Sequence, residues 1–437
     1  MRKITFIYLF ILCTFYHNTY AQPSIQYVNL QISPKKWTYE KKEEIIFQLY
    51  ATAYDQPVNK QVVVHYDFGM DGFEHLHKGK VALKEGRAEI GPFSVDKAGF
   101  YACRVHMEYE GKTIKSFSKA GYQVAEIQAV TPLPEDFTAY WEQAITKARE
   151  VSLKPEMTLI PDLCTSEVNV YHISYHNTKE GWRGTGKMYG LLNIPKNSKG
   201  PLPVIIGYPG AGVRPYAHRY AIAEKEVIYL QMGIHGIPVN LEPSLYQDLA
   251  TGALANYQIR GLDQRDTYYY HRVILGCVKA VDFVKTLPEA NLDQILVTGG
   301  SQGGALSIMV AALHPDVKGL AAHYPAMADM MAYRKHQTGG WPHQFKHFDE
   351  QDHPNWLKVA PYYDVVNFAR QLKVPGLYLT GYHDDVCPPM PFYAVYNNIS
   401  APKALGIYPN AGHWQYPEQS AAAEEWLLRF FSELNNN

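Results

Sequence analysis

Two different patterns of polar and apolar residues divide the chain. Between about residues 24 and 129, polar and apolar residues alternate in short runs, for example at 44–51, 61–66 and 99–106, with turn residues between the runs. A period of two is typical of half-buried strands. After residue 130, short apolar runs alternate with longer helical stretches, which is typical of an α/β domain.

These patterns predict three parts. Residues 1–21 have the features of a signal peptide, with two basic residues, an apolar run that is shorter than the ~20 residues of a membrane span, and a cleavage site ending at Ala21. Residues 22–129 are predicted to form a small antiparallel, Ig-like β-sandwich. Residues 130–437 are predicted to form the larger α/β domain, and the proline-containing segment 129–134 is the expected linker. We therefore expect an exported protein, periplasmic or extracellular.

One glycine-rich segment carries a strong chemical signal. A buried apolar strand leads into Gly299-x-Ser301-x-Gly303, and an apolar helix follows directly. This order predicts a nucleophile elbow, a strained strand-to-helix turn that needs small neighbours around the serine. The turn also directs the Gln302 amide towards the place where an oxyanion would form. A phosphate-binding turn is the alternative, and the flanking strand and helix disfavour it.

An acid and a histidine follow the serine at the ends of two later strands. The strand at residues 375–381 leads into Asp384 and Asp385, and the next strand leads to His413. The order serine, acid, histidine is typical of α/β-hydrolases. We therefore expect Ser301 as the nucleophile, His413 as the general base, and one of the two aspartates as the acid that orients the imidazole. A turn-forming aspartate and a loop histidine are the alternatives.

Three motifs together resemble one enzyme family. They are Gly-Gly-Ser301-Gln-Gly-Gly, the Asp384-Asp-Val-Cys-Pro-Pro389 run, and Ile-Tyr-Pro409 leading to His413. In these motifs the chain resembles the acetyl xylan esterase and cephalosporin C deacetylase family, over roughly residues 130 to 431. The resemblance implies an α/β-hydrolase fold with a mostly parallel, doubly wound sheet, and a carbohydrate esterase that needs no cofactor and no metal.

The resemblance also assigns roles to individual residues. It implies that Ser301 is the nucleophile, that the first of the two aspartates, Asp384, is the acid, and that His413 is the base. It further implies that the backbone amides of Tyr208 and Gln302 form the oxyanion hole. Tyr208 stands where an apolar strand breaks into a glycine loop, which is where this fold has its second oxyanion donor.

Two positions depart from the family pattern. The family usually has Arg-Gly-Gln after the strand at residues 226–232, whereas this chain has Gly233-Ile-His235-Gly236. In the family this triplet serves as a scaffold for the loops around the site, so its absence leaves the triad chemistry intact but weakens any transfer of substrate specificity. The family usually has glutamate after the histidine, whereas this chain has Trp414, for which packing under a loop is preferred over a stacking wall for a sugar.

Composition and cysteine spacing exclude several classes of function. With 41 Lys and Arg residues against 42 Asp and Glu residues, the chain has a formal charge of −1, so neither a nucleic acid nor an anionic membrane is an expected partner. Cys103, Cys164, Cys277 and Cys387 are spaced too widely for a metal site or a dense disulfide framework, although one disulfide remains open. Cys277 and Cys387 are expected to be packing residues.

A pair of histidines raises the possibility of a metal site. His343 and His347 lie four residues apart, a spacing that would place both on one face of a helix. Gly339, Gly340 and Pro342 argue against a continuous helix there. A lid over the active site is the preferred interpretation of this segment.

We therefore expect a secreted serine esterase that removes short acyl groups, above all acetyl, from carbohydrates through an acyl-enzyme intermediate. The expected partner is an acetylated carbohydrate or another small acyl ester, and a homo-oligomer is possible. A serine peptidase of similar fold and a non-catalytic glycan-binding protein on a hydrolase scaffold are the alternatives. Since Trp37 is the only tryptophan before residue 130, we expect the β-sandwich to pack on the hydrolase rather than to hold polysaccharide.

Overall fold

The computed structural model describes residues 28–58, 61–73, 75–179 and 184–434, so the predicted signal peptide lies outside the described residues. The described residues before 123 form nine strands. They are β1 (Val28–Pro34), β2 (Thr38–Tyr39), β3 (Ile45–Ala53), β4 (Gln56–Pro57), β5 (Val63–Met70), β6 (His75–Ala82), β7 (Arg87–Phe93), β8 (Gly99–Tyr109) and β9 (Lys112–Tyr122).

These nine strands form two sheets around one hydrophobic core. One sheet has the order β1-β3-β4 with β7 beside β3, and the other has the order β2-β9-β8-β5-β6. Alternate residues of β3 are buried, as the period of two requires. Phe47, Phe68 and Phe93 meet between the sheets, and the last two rings stack with centroids 3.9 Å apart. Each such buried ring contributes about 1.5–3 kcal/mol to folding.

The rest of the chain is organised around a nine-stranded sheet. Its strands are β10 (Glu156–Leu159), β11 (Val168–Lys179), β12 (Thr185–Pro195), β13 (Leu202–Tyr208), β14 (Ile228–Met232), β15 (Ala290–Gly300), β16 (Val317–His323), β17 (Gly376–Thr380) and β18 (Lys403–Ile407). The order is β10-β11-β12-β14-β13-β15-β16-β17-β18. Strands β13 to β18 are parallel to their neighbours within this group, whereas β10, β11 and β12 pair antiparallel. The carboxyl ends of the parallel strands therefore share one edge.

Helices cover both faces of this sheet. In the described residues they are α1 (Phe137–Arg149), α2 (Tyr220–Ala223), α3 (Pro243–Thr251), α4 (Tyr269–Val284), α5 (Gln302–Leu313), α6 (Trp356–Val359), α7 (Val365–Ala369), α8 (Pro389–Asn397) and α9 (Pro417–Leu434). Val204 and Ile206 of β13 face the core that contains α1, α4 and α5, whereas Ile205 faces α9. A strand buried on both faces is apolar throughout, which explains its sequence. No helix in the described ranges combines the length and apolar character needed to cross a bilayer.

The segment between the two parts is firmly attached to the larger one. The Asp329 carboxylate accepts hydrogen bonds from the backbone amides of Val130 and Thr131, at 2.9 and 2.7 Å, and the Thr131 hydroxyl donates to Asp364 at 2.9 Å. Burial, followed by the charge of Asp329, raises the pKa of Asp364 to about 7. Residues 130 and 131 therefore form a fixed connection.

Candidate active site

Ser301 occupies the sharp turn between β15 and α5. Its backbone has φ 57° and ψ −122°, a conformation that costs a residue other than glycine about 1–3 kcal/mol. Two backbone hydrogen bonds of 3.0 Å hold the turn, one from the Ser301 amide to the His323 carbonyl and one from the Ala326 amide to the Ser301 carbonyl. The end of β16 and the segment after it thus fix the serine at the edge of the sheet.

The glycines around Ser301 permit close backbone contacts. A Cβ on Gly303 would lie 2.1 Å from the Tyr208 carbonyl oxygen, and one on Gly299 would lie 2.5 Å from the Gly303 carbonyl carbon. A Cβ on Gly304 would lie 2.7 Å from the His323 carbonyl oxygen. Any side chain at these positions would separate the turn from β13 or β16.

Asp384 and His413 are in direct contact beyond β17 and β18. The fully buried Asp384 carboxylate accepts hydrogen bonds at Oδ1 from the amides of Val386 and Cys387, at 2.8 and 2.7 Å. Its Oδ2 lies 2.9 Å from His413 Nδ1. This contact fixes the orientation of the imidazole ring. The neighbouring Asp385 points away and pairs with Lys119.

Ser301 and His413 line the same open cavity of about 810 Å³. The Ser301 hydroxyl lies 3.8 Å from the Cys387 sulfur. Among the described residues, no hydrogen bond joins Ser301 to His413. In enzymes without substrate such catalytic contacts are often longer than hydrogen bonds and shorten when substrate binds. Burial, followed by the charge of Asp384, raises the pKa of the Cys387 thiol well above its usual range, so this sulfur stays protonated and is unsuited to act as a nucleophile.

The segments that carry the two expected oxyanion donors are in close backbone contact. Tyr208 ends β13, Gln302 begins α5, and both segments contact through the Gly303 position. The side chain of Gln302 is buried and accepts hydrogen bonds from the hydroxyls of Tyr257 and Tyr270, at 2.9 and 2.6 Å. Its amide nitrogen donates to the Pro209 carbonyl at 3.1 Å. The Gln302 side chain therefore fixes the glycine loop to the elbow. The sequence motif gave no indication of this role for the side chain.

His235 fixes the same glycine loop from the other side. It lies in the segment that replaces the family's Arg-Gly-Gln triplet, with Nε2 3.0 Å from the Gly212 carbonyl and Nδ1 2.7 Å from the Tyr269 hydroxyl. Burial lowers the pKa of His235 to about 4, so the ring is neutral. Because a carbonyl only accepts, Nε2 carries the proton and Nδ1 accepts from Tyr269.

Two aromatic residues that neighbour the cavity residues His413 and Gln415 in the sequence are partly exposed. Trp414, which follows His413, is 53% exposed, and Tyr416 is 37% exposed. The Trp414 ring lies against the loop at Gly412, where an added Cβ would be 2.0 Å from a ring carbon, and about half of the residue remains in solvent, so the structure does not decide between the two expectations. An exposed indole next to the histidine suits the alternative, a wall for a sugar ring.

The segment with the two histidines is built from turns rather than a helix. His343 Nδ1 lies 2.7 Å from the Tyr333 hydroxyl, and Trp341 lines the cavity. No cluster of three or more potential metal ligands occurs in the part of the chain that is described, and the four described cysteines are free. The proposed lid stays a prediction.

Two side chains beside the acid and the histidine were not found from the sequence. The Tyr324 ring packs against His413 with centroids 4.9 Å apart, and burial raises the pKa of its hydroxyl to about 12. Lys119 of β9 reaches the loop that carries Asp384. Neither residue belongs to a motif, and Lys119 is 265 positions from its partner.

Comparison with known proteins gives a consistent picture. The family profile described as acetyl xylan esterase (AXE1) matches residues 120–430. The chain is 33% identical over 399 residues to acetyl esterase Axe7A of Xylanibacter ruminicola, which covers 90% of this chain and 88% of the relative. The match with Axe7A therefore extends well into the region before residue 129.

Solved structures resemble the larger part of the molecule. Acetyl xylan esterase from a Paenibacillus species superposes with a TM-score of 0.61 at 24% identity, over 70% of this chain and 98% of the other. Acetyl xylan esterase 1 from a Thermoanaerobacterium species superposes with a TM-score of 0.59 at 26% identity, over 70% and 97% of the two chains. The nine-stranded sheet thus has the α/β-hydrolase fold.

Proposed function

Because the chain belongs to the acetyl xylan esterase family and is a carboxylic ester hydrolase of that kind, we propose that Ser301, His413 and Asp384 form a catalytic triad that removes acetyl groups from a carbohydrate. The observation that carries the proposal is the 2.9 Å contact between His413 Nδ1 and Asp384 Oδ2, next to the cavity that Ser301 lines. It leaves His413 Nε2 as the nitrogen available to a serine hydroxyl.

The reaction proceeds in two stages. The Ser301 hydroxyl attacks the ester carbonyl while His413 takes its proton, and the oxyanion is bound by the amides of Tyr208 and Gln302. Each such donor stabilises the transition state by about 3–4 kcal/mol. The sugar alcohol leaves with the proton from His413, and a water activated by the same imidazole then releases acetate. Asp384 keeps the ring in the required tautomer and stabilises its charged form.

A sugar substrate fits the surroundings of the cavity. The cavity is open to solvent, so a carbohydrate chain can lie across it while one acetyl group enters. The exposed faces of Trp414 and Tyr416, which neighbour the cavity residues His413 and Gln415 in the sequence, offer stacking surfaces for pyranose rings. These contacts would act on the binding of the sugar rather than on the ester chemistry.

The remaining parts of the chain have supporting roles in this proposal. Residues 1–21 direct export to the periplasm or the extracellular space and are removed there. Residues 22–129 form a β-sandwich domain that packs on the catalytic domain, residues 130–437. The two sheets with their common core and the contacts of Lys119 support this division.

Acetate release from a panel of acetylated sugars, with a chromogenic acetate ester beside it, tests the proposal. We expect turnover by the parent protein and a loss of at least about 10⁴-fold in Ser301→Ala. Ser420→Ala is the matched control, because this exposed serine lines the same cavity. Absence of turnover by the parent protein on every ester would support a binding protein instead, and cleavage of peptide substrates without esters would support a peptidase.

A further inference from the structure

Lys119 links the N-terminal sheet to the loop that carries Asp384. Its side chain is fully buried, and its ammonium group lies 2.8 Å from Asp71 Oδ2, 2.5 Å from Asp385 Oδ1 and 3.3 Å from the backbone carbonyl of Asp384. A lysine ammonium has three N–H donors. All three are used, and two of the acceptors belong to the loop of the catalytic acid.

The charges around Lys119 are balanced. Asp71 also pairs with Arg104 at 3.1 Å, so two cations face the carboxylates of Asp71 and Asp385. Burial alone would lower the pKa of Lys119, but the two carboxylates outweigh it and the pKa is raised. Lys119 is therefore charged at every pH at which the enzyme would work, which strengthens its hydrogen bond to the Asp384 carbonyl.

Aromatic contacts hold the residues before the acid against the same sheet. The Tyr382 ring packs edge-on against Phe100 and Trp37, with centroids 4.9 and 6.3 Å apart. The His383 ring packs against Phe117 at 5.3 Å and Trp37 at 6.0 Å. Because Phe117 and Lys119 are two residues apart on β9, their side chains lie on the same face of the strand.

We propose that Lys119 is a positioning residue for the catalytic acid, contributed by the N-terminal domain. Asp384 is then fixed at two places, its carboxylate by the amides of Val386 and Cys387 and its carbonyl by Lys119. Loss of Lys119 removes the second of these attachments, so the Asp384 peptide can rotate and Oδ2 can move away from His413 Nδ1. The inference rests on the proposed triad, in which Asp384 acts through His413.

Lys119 lies just outside the part of the chain that matches the family profile. The acetyl xylan esterase profile matches from residue 120 onwards, so Lys119 lies one residue outside it. A domain that only packed on the hydrolase would not need a buried ion at the catalytic acid, because an apolar contact avoids the cost of desolvating charges.

The test compares Lys119→Met with Lys115→Met in the full chain. Lys115 lies on the same face of β9, but its side chain is exposed. Active sites are counted by titration with a phosphonate, and kcat for a chromogenic acetate ester is expressed per active site. We expect this kcat to fall at least 10-fold in Lys119→Met, while KM stays within 2-fold of the parent value. Lys115→Met should match the parent enzyme. A kcat in Lys119→Met within 2-fold of the parent would overturn the inference.

A double-mutant cycle separates positioning from a general structural effect. In an Asp384→Asn background, Lys119→Met should lower kcat by less than 2-fold further, because it acts through the side chain already replaced. Equal losses in both backgrounds would show that Lys119 acts independently of Asp384 and would contradict the proposal.

Asp385→Ala covers the case in which Lys119→Met does not fold. The Asp385 side chain is 67% exposed, so its loss leaves the core intact and removes one of the two loop acceptors of Lys119. We expect a several-fold lower kcat with unchanged KM, and an unchanged kcat would reject the inference. If the parent enzyme releases no acetate, the proposed function fails, whereas a parent that is active beside fully active Lys119 and Asp385 variants rejects only the role of Lys119.

Discussion

The carbonyl oxygen of Tyr208 lies where a side chain on Gly303 would be, only 2.1 Å from the position of a Cβ on that glycine. The end of β13 and the first turn of α5 are therefore in backbone contact. Because the two proposed oxyanion amides belong to Tyr208 and Gln302, this contact sets the distance between them. The elbow glycine thus shapes the oxyanion hole as well as the turn.

Gly303→Ala should separate the two donors. We expect kcat/KM for a chromogenic acetate ester to fall at least about 100-fold, the order of loss that follows from one misplaced oxyanion donor. Gly200→Ala is the control, because no atom lies within 4 Å of the Cβ it would add. Equal activities of the two variants and the parent enzyme would contradict the close contact.

His235→Leu should loosen the glycine loop. The change leaves the Gly212 carbonyl and the Tyr269 hydroxyl without their partner, and each buried group left unpaired costs about 1–3 kcal/mol. We expect lower stability in urea together with a lower kcat. Tyr269→Phe removes one of the two bonds and should show the smaller loss in both measurements. A variant that keeps full kcat despite lower stability would show that His235 supports the fold and not the loop geometry.

Trp414→Ala should affect the binding of sugar but not the ester chemistry. A stacking contact of about 0.5–1.5 kcal/mol corresponds to a several-fold rise in KM for an acetylated oligosaccharide. The kinetic constants for a small chromogenic acetate ester should not change, since that substrate does not reach the exposed indole. An equal effect on both substrates would place Trp414 in the support of His413 instead.

Stability should fall on the acid side of neutrality. Burial lowers the pKa of His323 to about 4, so the folded protein holds this ring neutral while the unfolded chain protonates it below about 6.5. The unfolded state then binds more protons, and stability is lost as pH falls from about 6.5 towards 4. From pH 7.5 to 5 we expect this ring to account for a loss of about 2 kcal/mol. Urea unfolding of His323→Gln should show a shallower pH dependence than the parent, and identical slopes would contradict the buried neutral ring.

Local patterns in the sequence predicted the elements that carry the site. The strand expected at residues 375–381 is β17, and the apolar helix expected directly after the serine turn is α5. These predictions succeed because burial on both faces, or on one helical face, leaves a period that can be read in a short window. The turn at Ser301 was equally visible, because the close backbone approach admits only glycine at its flanks.

Contacts between distant segments were beyond such reasoning. The residues alone left Asp384 and Asp385 as alternatives, and only the fold shows that one faces His413 while the other faces Lys119. The sequence left two alternatives for Trp414 for a related reason. Whether an aromatic ring packs or stays exposed depends on which loops lie above it, and the sequence next to it does not contain that information.

The contacts of Lys119 with the Asp384 loop make the catalytic domain depend on the N-terminal domain. A fragment trimmed to residues 120–430, the span that matches the family, would keep the elbow and His413 but would lose the ammonium group and the rings of Trp37, Phe100 and Phe117. The hydrolase part of this chain therefore depends on residues outside the segment 120–430 for the geometry of its catalytic acid. A chimaeric enzyme that takes this hydrolase domain must therefore include the N-terminal sheets as well.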